Sequence, residues 1–323
     1  MDINERIDKI IAEGNAAENT MTAYNQDIRH FRAWAWITKK LELKFPISTE
    51  LIEQYLLENI EGFDPRTSAM LVDFGYKSKP GKLTIATLRR RIDAIAWYHK
   101  TKNLENPAST ARIKEILRSA KIAESKGGRV VKKSKPITLD ILEKLIKSIK
   151  PDTLIGKRNR AILSFGFFSG GRRRSEIAQA EYRFLSECKG GYTYLLHRSK
   201  TDQLGKGSIK PLWRKRAYPM KAWLKASGIK DGPLFRRIIN NRVNKRAIGG
   251  QLVNNIIKDH IEAIGLNPKE YSAHGIRRGF VTECARRGMP IWDIMELTGH
   301  KYMRTVQGYF EQGEVERNPC GRL

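Results

Sequence analysis

Residues 297–310 read LTGHKYMRTVQGYF, and a second stretch, SAHGIRRGF, precedes them at 272–280. His274 and Arg277 in the second stretch stand at i and i+3, so one face of a helix would present both side chains. Two more stretches of the C-terminal half set cations beside polar residues: SGGRRRSEIAQA at 169–180 and RSKTDQLGKG at 198–207. Each stretch alone is compatible with a solvated surface, and only the combination predicts a functional site.

The charge of the chain indicates the kind of partner. Lys and Arg total 61 against 34 Asp and Glu, which gives a formal net charge of +27. This charge exceeds what solubility requires, so we expect a polyanionic partner. The cations are spread through folded-looking segments instead of one tail, which favours a folded nucleic-acid-binding protein over a ribosomal-type protein or a membrane-surface binder.

Cysteine content and hydropathy argue against several other classes of protein. Cys188, Cys284 and Cys320 form no CxxC pair, which argues against a disulfide scaffold and against a zinc site. The N-terminal MDINERIDKI lacks the features of a signal peptide, and the most apolar segment, around Ala161 to Gly171, is too short to span a bilayer. We therefore expect a soluble protein of a reducing cytoplasm, without a membrane partner.

Apolar periodicity predicts a small basic helical bundle in residues 1–123. The expected helices are Thr20–Lys39 with Thr20 or Thr22 as N-cap, Ser48–Asn59, Thr84–Lys100, and NPASTARIKEILRSA with Asn106 as cap and Pro107 in its first turn. In the third helix, Leu88, Ile92 and Ile95 form the buried stripe. The arginines at 89–91 are expected to lie largely outside this stripe.

A basic linker is predicted after the bundle. Residues 124–136, ESKGGRVVKKSKP, are rich in Lys, Ser and Gly and show no apolar period of either kind. Their basic side chains are either solvated or, as the charge of the whole chain favours, follow a phosphate backbone.

The second predicted domain, residues 137–323, combines helices with a small sheet. Helices are expected from Thr138, from Thr153 to Phe168, and again from Gly250 onward. Tyr192 to Arg198 is rich in β-forming residues and is followed by the short run SIKPL, which predicts strands joined by a hairpin with Lys200 near its tip. The predicted fold class is therefore mainly α with a small antiparallel β-sheet.

In order, spacing and residue type, the four stretches resemble the catalytic domain of the tyrosine recombinases, the phage integrase family with its Cre-like and Xer-like members. The helical N-terminal half is similar, more loosely, to that family's core-binding domain. The resemblance carries the family's catalytic residues onto these positions: Arg173, Glu176, Lys200, His274, Arg277, His300 and Tyr309. The family usually has an aliphatic residue on one or both sides of the first arginine, whereas Arg172 and Arg174 flank Arg173 here, and the Ser-Glu pair that follows fixes the assignment.

The resemblance implies that a tyrosine oxygen attacks a DNA phosphodiester. Arg173 and Arg277 would hold the non-bridging oxygens, because guanidinium groups are permanently charged and donate in pairs. A phenol ionises near pKa 10 and needs a base, and the imidazole of His274 titrates close to working pH. Lys200 would protonate the leaving 5′-oxygen, since neighbouring cations would lower its pKa.

Two further residues support this chemistry, and no cofactor is implied. His300 would hydrogen-bond the scissile phosphate, and Glu176 would hold Arg173 or His274 in place. The arginines would supply the charge stabilisation that Mg²⁺ gives in other phosphoryl transfers, so neither a metal nor ATP is expected. Tyr302 is not expected to be the nucleophile, because two residues keep it on the same turn as His300.

The resemblance also implies partners. The substrate would be a double-stranded DNA recombination site in a bacterial, phage or plasmid context, cleaved through a 3′-phosphotyrosyl intermediate at Tyr309 and exchanged via a Holliday junction. A homo-tetramer, with a dimer on each site, would assemble on the DNA, and the tail after Tyr309 would dock on a neighbouring protomer or fray in solution. DNA contacts are expected at Arg89, Arg90, Arg91, Arg172, Arg174 and Gln251.

Two other functions fit parts of the pattern. A type IB topoisomerase shares the catalytic residues but relaxes supercoils without exchanging partners, and the bundle, linker and short tail favour the recombinase. A catalytically silent DNA-binding relative would have lost Arg173, Lys200 or Tyr309, and the chain retains all of these residues.

Overall fold

The computed structural model describes residues 18–128, 133–197, 202 and 207–314. By its internal contacts the chain divides into two compact units, Met1–Val131 and Lys132–Leu323, and each unit buries its own apolar core. The predicted fold class, mainly α with small antiparallel sheets, is confirmed. Among the described residues, no helix has the length and apolar character needed to cross a membrane.

The first unit is a helical bundle. Its elements are α1 (Glu18–Lys39), α2 (Thr49–Glu61), α3 (Pro65–Asp73), α4 (Ile85–Thr101), a 3-10 turn (Pro107–Ser109) and α5 (Ala111–Lys126). The side chains of Ser48, Asp64 and Thr84 each accept a hydrogen bond from the backbone N–H three residues on, which starts α2, α3 and α4. The apolar faces of the bundle meet around Trp34 and Tyr55, which are both fully buried.

Helices α1 and α3 differ from what the sequence predicts. α1 begins at Glu18, so Thr20 and Thr22 lie inside the helix and neither is its N-cap. The apolar periodicity does not predict α3, because a helix of nine residues is too short to show a clear period. The sequence does contain its start signal, since Asp64 caps the helix and Pro65 occupies its first position.

The helix expected as a single element after Asn106 is broken in two. Asn106 caps only the 3-10 turn, and Thr110 then starts α5 by accepting a hydrogen bond from the backbone N–H of Ile113. α5 continues to Lys126 and so enters the segment predicted as a linker from residue 124. Glu124 supports this last turn, because Lys121 on the preceding turn donates to it at 2.6 Å.

Arg91 is buried, and the expectation that it lies outside the apolar stripe of α4 is wrong. It is 7% exposed, donates to the Tyr55 hydroxyl at 2.8 Å and lies 3.4 Å from the Asp27 carboxylate. A residue three places after a buried leucine lies on the same face of a helix, which accounts for its inward direction. Arg89 and Arg90 are exposed, as expected, although Arg90 also donates to Asp27 at 3.0 Å.

The second unit packs helices around two small sheets. Its elements are α6 (Leu139–Ser148), α7 (Leu154–Phe168), α8 (Arg174–Ala178), β1 (Leu185–Cys188), β2 (Gly191–Leu196), β3 (Ser208–Trp213), α9 (Tyr218–Ser227), β4 (Arg236–Ile239), β5 (Arg242–Ala247), α10 (Gly250–Ala263), α11 (Ala273–Arg286), α12 (Ile291–Thr298) and α13 (Met303–Glu314). The first three strands form one antiparallel sheet, and β4 and β5 form a separate hairpin. The predicted pairing of β2 with β3 is confirmed, with Leu196 opposite Ser208, whereas β1, β4 and β5 are additional.

The turn after α7 sets the direction of the segment that leads to α8. α7 is buried along most of its length, and Gly170 and Gly171 follow it with φ of +97° and +66°. A Cβ atom on Gly171 would lie 3.0 Å from the Cα atom of Arg277. The chain therefore reverses against the backbone of α11, at a distance and in a conformation that favour glycine.

The segment before α6 crosses α11 at close range. The backbone N–H of Ile137 donates to the carbonyl oxygen of Gly275 at 2.9 Å. A Cβ atom would lie 2.7 Å from the Lys135 oxygen at Gly275 and 1.7 Å from the Ile137 oxygen at Gly279. These two glycines, four residues apart on one helical face, make room for the crossing backbone and so fix the position of α11.

Replacing Gly279 by Ala is expected to destabilise the second unit by about 3 kcal/mol, because the new methyl group must displace the backbone at Ile137. Gly308→Ala on α13 is the matched control, since its methyl group meets nothing within 4 Å and is expected to gain up to about 1 kcal/mol of helix propensity. Denaturant unfolding of the full-length chain, followed by circular dichroism, measures both. Equal stability of the two variants would contradict the close crossing at α11.

Candidate active site

The second unit brings the predicted catalytic residues together, apart from Lys200, which lies outside the described residues. The elements that carry them are the N-cap and first turn of α8 for Arg173 and Glu176, α11 for His274 and Arg277, the segment just after α12 for His300, and α13 for Tyr309. The strands that flank Lys200 in the sequence, β2 and β3, pair with each other in the same unit. Helices from distant parts of the chain therefore build one site.

Tyr309 faces His274. The phenol oxygen and the imidazole Nε2 atom are 3.2 Å apart. Burial and the charges of Arg277 and Arg278 lower the pKa of His274 below its usual value of 6.5, so the ring is neutral near pH 7. A neutral imidazole can accept the phenol proton at Nε2. Arg278 lies 5.3 Å over the centroid of the Tyr309 ring and holds the ring by a cation–π contact.

Arg277 lies at the centre of the site and is 2% exposed. Its Nη1 atom donates to the carbonyl oxygen of Gly171 at 3.1 Å, and its Nε atom donates to His300 Nε2 at 3.3 Å. Burial and the charge of Arg173 lower the pKa of Arg277 to about 9, which leaves it protonated at neutral pH. Its buried Nη2 atom has no hydrogen-bond partner in the part of the chain that the structure describes, and an oxygen anion would satisfy it.

Hydrogen bonds fix the tautomer of His300. The Thr298 hydroxyl donates to the Ile294 carbonyl oxygen at 2.6 Å, so it accepts from His300 Nδ1 at 2.7 Å. Nε2 is then unprotonated, as the hydrogen bond that it accepts from Arg277 requires. Burial, together with the charge of Arg277, lowers the pKa of His300 to about 3, so this ring is also neutral.

Glu176 holds Arg173. The carboxylate is 7% exposed, accepts from the Arg173 backbone N–H at 3.0 Å and forms an ion pair with its guanidinium group. The guanidinium remains partly exposed, and its charge lowers the pKa of both His274 and Arg277. The sequence left open whether Glu176 holds Arg173 or His274. In the structure, its carboxylate pairs with Arg173.

Arg172 points into the protein, and the expectation that it contacts flanking phosphates is wrong. It is 0% exposed, and its Nη2 atom donates to the carbonyl oxygens of Gly170 and Leu297. The expectation assumed a helical turn, but Arg173 has extended φ and ψ angles ahead of α8. Successive side chains of an extended segment point to opposite sides, so Arg172 is buried where Arg173 faces the site.

Arg174 and Gln251 keep the outward positions that the sequence predicts. Both are exposed, and the Nη1 atom of Arg174 donates to Gln251 Oε1 at 3.4 Å. Gln251 in turn donates to Asn255 Oδ1 at 2.9 Å. The first turns of α8 and α10 thus present polar side chains side by side on one surface.

Two cations of the site are missed by sequence reasoning. The doubled arginine of HGIRRGF is the available signal for Arg278, which contacts the ring of Tyr309. Lys210 on β3 is 2% exposed and donates to the carbonyl oxygen of Glu296 at 2.9 Å. Burial and the charge of Arg172 lower the pKa of Lys210 to about 8. Nothing in the run SIKPL distinguishes this lysine from one on an exposed strand.

The site has an excess of positive charge. Glu176 forms an ion pair with Arg173, and its charge also acts on Arg172, Arg277 and Lys210. Glu296 is the second carboxylate that acts on Lys210, so these four cations face two carboxylates in the described part of the chain. Such a cluster is complementary to the charge of a phosphodiester. Among the described residues, no group of His, Cys, Asp and Glu is arranged to hold a metal ion.

Comparisons with known proteins find related sequences over most of the chain. The model of the phage integrase family matches residues 135–314. The integrase/recombinase xerD homolog of Selenomonas ruminantium is 28% identical over 325 aligned residues, which cover 97% of this chain and 88% of that protein. The recombinase cre of Escherichia phage P1 is 23% identical, over 90% of this chain and 84% of that protein.

Solved structures of low sequence identity share the fold. The XerH site-specific recombinase, bound to a palindromic difH substrate in a post-cleavage complex, gives a TM-score of 0.61 at 16% identity, over 96% of this chain and 81% of that one. A lambda integrase dimer bound to a COC′ core site gives a TM-score of 0.56 at 14% identity, over 95% and 75% of the two chains. These likenesses extend over both units of the chain.

The two histidines of the site are expected to resist protonation. In the DNA-free protein, His274 should titrate below pH 6.5 and His300 near pH 3, because burial and neighbouring arginines disfavour their charged forms. Imidazole NMR resonances, assigned with His274→Gln and His300→Gln, report both titrations as the pH is lowered. Protonation of His300 at or above its usual pKa of 6.5 would contradict the hydrogen-bond arrangement around it.

Proposed function

The chain belongs to the phage integrase family and is a site-specific DNA recombinase, and we propose that it cleaves each strand through a 3′-phosphotyrosyl bond to Tyr309. One observation carries the proposal: the Tyr309 oxygen lies 3.2 Å from the neutral imidazole of His274, in the same site as the buried guanidinium of Arg277, one donor of which has no hydrogen-bond partner among the described residues. This arrangement supplies a nucleophile, a base and a partner for a charged oxygen.

In the cleavage step, the Tyr309 oxygen attacks the phosphorus while its proton passes to His274 Nε2. The bond from phosphorus to the 5′-oxygen breaks, and the leaving oxygen takes a proton from Lys200. Arg173 and Arg277 stabilise the charge on the non-bridging oxygens. The phosphotyrosyl ester conserves the energy of the broken bond, so a 5′-hydroxyl from another strand can reverse the step without a nucleotide cofactor.

His300 changes its hydrogen bond when DNA enters. Without DNA its Nε2 atom accepts from Arg277, and surrounding cations disfavour the protonated ring. A phosphodiester brings a negative charge that offsets these cations, so its arrival favours a proton on Nε2. His300 then donates to the phosphate, while Thr298 continues to hold Nδ1.

The partners follow from the reaction. Exchange of strands between two DNA sites needs a nucleophile for each strand, so we assign the chain to a homo-tetramer with a dimer on each site and a Holliday junction as intermediate. The first unit is assigned to DNA binding as a core-binding domain, and the exposed Arg89, Arg90, Arg174 and Gln251 are assigned to DNA contacts. Relatives from a bacterium and a phage support action in the bacterial cytoplasm.

A covalent adduct tests the nucleophile. DNA trapped by the wild-type protein is first sequenced to identify the site, and a nicked suicide version of that site then captures cleaved strands. Tyr309→Phe is expected to form no adduct, because it lacks the attacking oxygen. Tyr302→Phe is the matched control, since Tyr302 is 73% exposed, and it is expected to form the adduct normally.

Denaturing gels and mass spectrometry of the adduct read out this experiment. An adduct that persists in Tyr309→Phe and is lost in Tyr302→Phe would identify Tyr302, and not Tyr309, as the nucleophile. Supercoil relaxation by a monomer without any sequence requirement would identify a type IB topoisomerase instead of a recombinase.

Two neighbouring arginines of α4 are expected to respond differently to substitution. Arg89→Ala should weaken binding to DNA of any sequence and reduce the salt dependence of the binding constant by about one unit of log–log slope, because Arg89 is exposed. Arg91→Ala should instead destabilise the first unit by about 3 kcal/mol, because it removes one of the two cations that pair with the buried Asp27 carboxylate and also the donor to the Tyr55 hydroxyl. Salt titrations of DNA binding and denaturant unfolding measure the two effects, and the reverse pattern would contradict both assignments.

A further inference from the structure

The C-terminal end of α12 is held by two cations from distant parts of the chain. Lys210 Nζ on β3 donates to the carbonyl oxygen of Glu296 at 2.9 Å, and Arg172 Nη2 donates to that of Leu297. The last carbonyl groups of a helix have no partner within the helix and carry its negative partial charge. Two consecutive groups of this kind are therefore each paired with a full positive charge.

Burying two cations at one helix end is costly, which calls for an explanation beyond packing. Arg172 is 0% exposed and Lys210 2%. Burial and the charge of Arg173 lower the pKa of Arg172 to about 10, and burial and the charge of Arg172 lower the pKa of Lys210 to about 8. One carboxylate, Glu176, lies 3.6 Å from Arg172 and already pairs with Arg173. Apolar side chains of similar size would avoid the desolvation cost but leave both carbonyl groups unpaired.

The held carbonyl groups lie next to the residues that orient His300. Thr298 follows Leu297 directly, and its hydroxyl accepts the Nδ1 proton of His300 at 2.7 Å. The backbone N–H of His300 donates to the Met295 carbonyl oxygen at 3.1 Å. A shift of this helix end would therefore move both hydrogen bonds that place His300 against Arg277.

We propose that Arg172 and Lys210 are positioning residues, which fix the end of α12. They thereby keep His300 Nδ1 hydrogen-bonded to Thr298 and direct Nε2 toward the phosphate that it contacts in the cleavage reaction. The inference rests on the proposed function, since it assigns the residues to the same reaction. Neither cation touches the phosphate in this scheme. Both act through the backbone of α12, because each donates a hydrogen bond to one of two adjacent carbonyl oxygens.

Lys210→Met and Arg172→Met test the role in the reaction. Both variants keep an apolar stem of similar length and lose the cationic donor. Covalent adduct formation with a suicide substrate, at protein concentrations that saturate the DNA so that weaker binding does not affect the rate, is expected to slow by about 100-fold, the usual effect of a misplacement of about 1 Å. Lys225→Met, an exposed lysine on α9, is the matched control and should react at the wild-type rate.

A second readout separates positioning from folding and does not depend on DNA cleavage. The ¹⁵N shifts of the His300 imidazole in the DNA-free protein report the Nδ1–H tautomer, which the wild type and Lys225→Met should hold. Lys210→Met should give a mixture of tautomers at temperatures where circular dichroism shows the chain folded. Thr298→Val, which removes the hydroxyl, should give the same mixture, and Thr298→Ser should restore the single tautomer.

The outcomes are distinct. Slow cleavage together with a mixed tautomer in the folded Lys210→Met and Arg172→Met variants supports the proposal. Cleavage within about twofold of the wild type in both, or a single tautomer in both, overturns it. Absence of a Tyr309 adduct in the wild type would overturn the proposed function instead, and the tautomer measurement would still report whether the cations position His300.

Discussion

A guanidinium group that keeps its charge at neutral pH is held almost out of water in the second unit, and the rest of the site is arranged around this constraint. Arg277 is stable there because its N–H groups find the carbonyl oxygen of Gly171 and the Nε2 atom of His300. The first contact requires the left-handed glycine turn after α7, and the second requires a neutral imidazole that Thr298 holds in one tautomer. The Nη2 atom of Arg277, which has no partner among the residues that the structure describes, is the donor that we assign to a phosphate oxygen.

The sequence predicts the fold and much of the site because both depend on local signals. Side-chain caps such as Ser48, Thr84 and Thr153 mark helix starts that the structure confirms to within a residue or two. His274 and Arg277 are three residues apart on one helix, so their shared face follows from periodicity alone. Placing Tyr309 beside them required the resemblance to a known family, since no local rule relates α11 to α13.

The failures of the sequence prediction concern buried charge. Arg91, Arg172 and Lys210 are each assigned to solvent or overlooked, because burial of an isolated cation is costly and the default position is the surface. Their partners are distant: the Leu297 oxygen is 125 residues from Arg172, and the Glu296 oxygen is 86 residues from Lys210. The β4–β5 hairpin was missed for a different reason. Its turn residues, Asn240 and Asn241, both have positive φ, and an Asn-Asn pair is a local signal for such a turn that the prediction did not use.

The attachment of α13 has a consequence for the local stability of the segment that carries Tyr309. Its packing cluster contains the buried residues Val281, Cys284, Ile294 and Val306 and is separate from the large core around α7. So small an apolar contact contributes little of the unit's total burial, and a segment held in this way opens at a lower free energy than the whole unit. We therefore expect the backbone amides of α13, the helix that carries Tyr309, to exchange with solvent at a lower free energy than those of the core around α7.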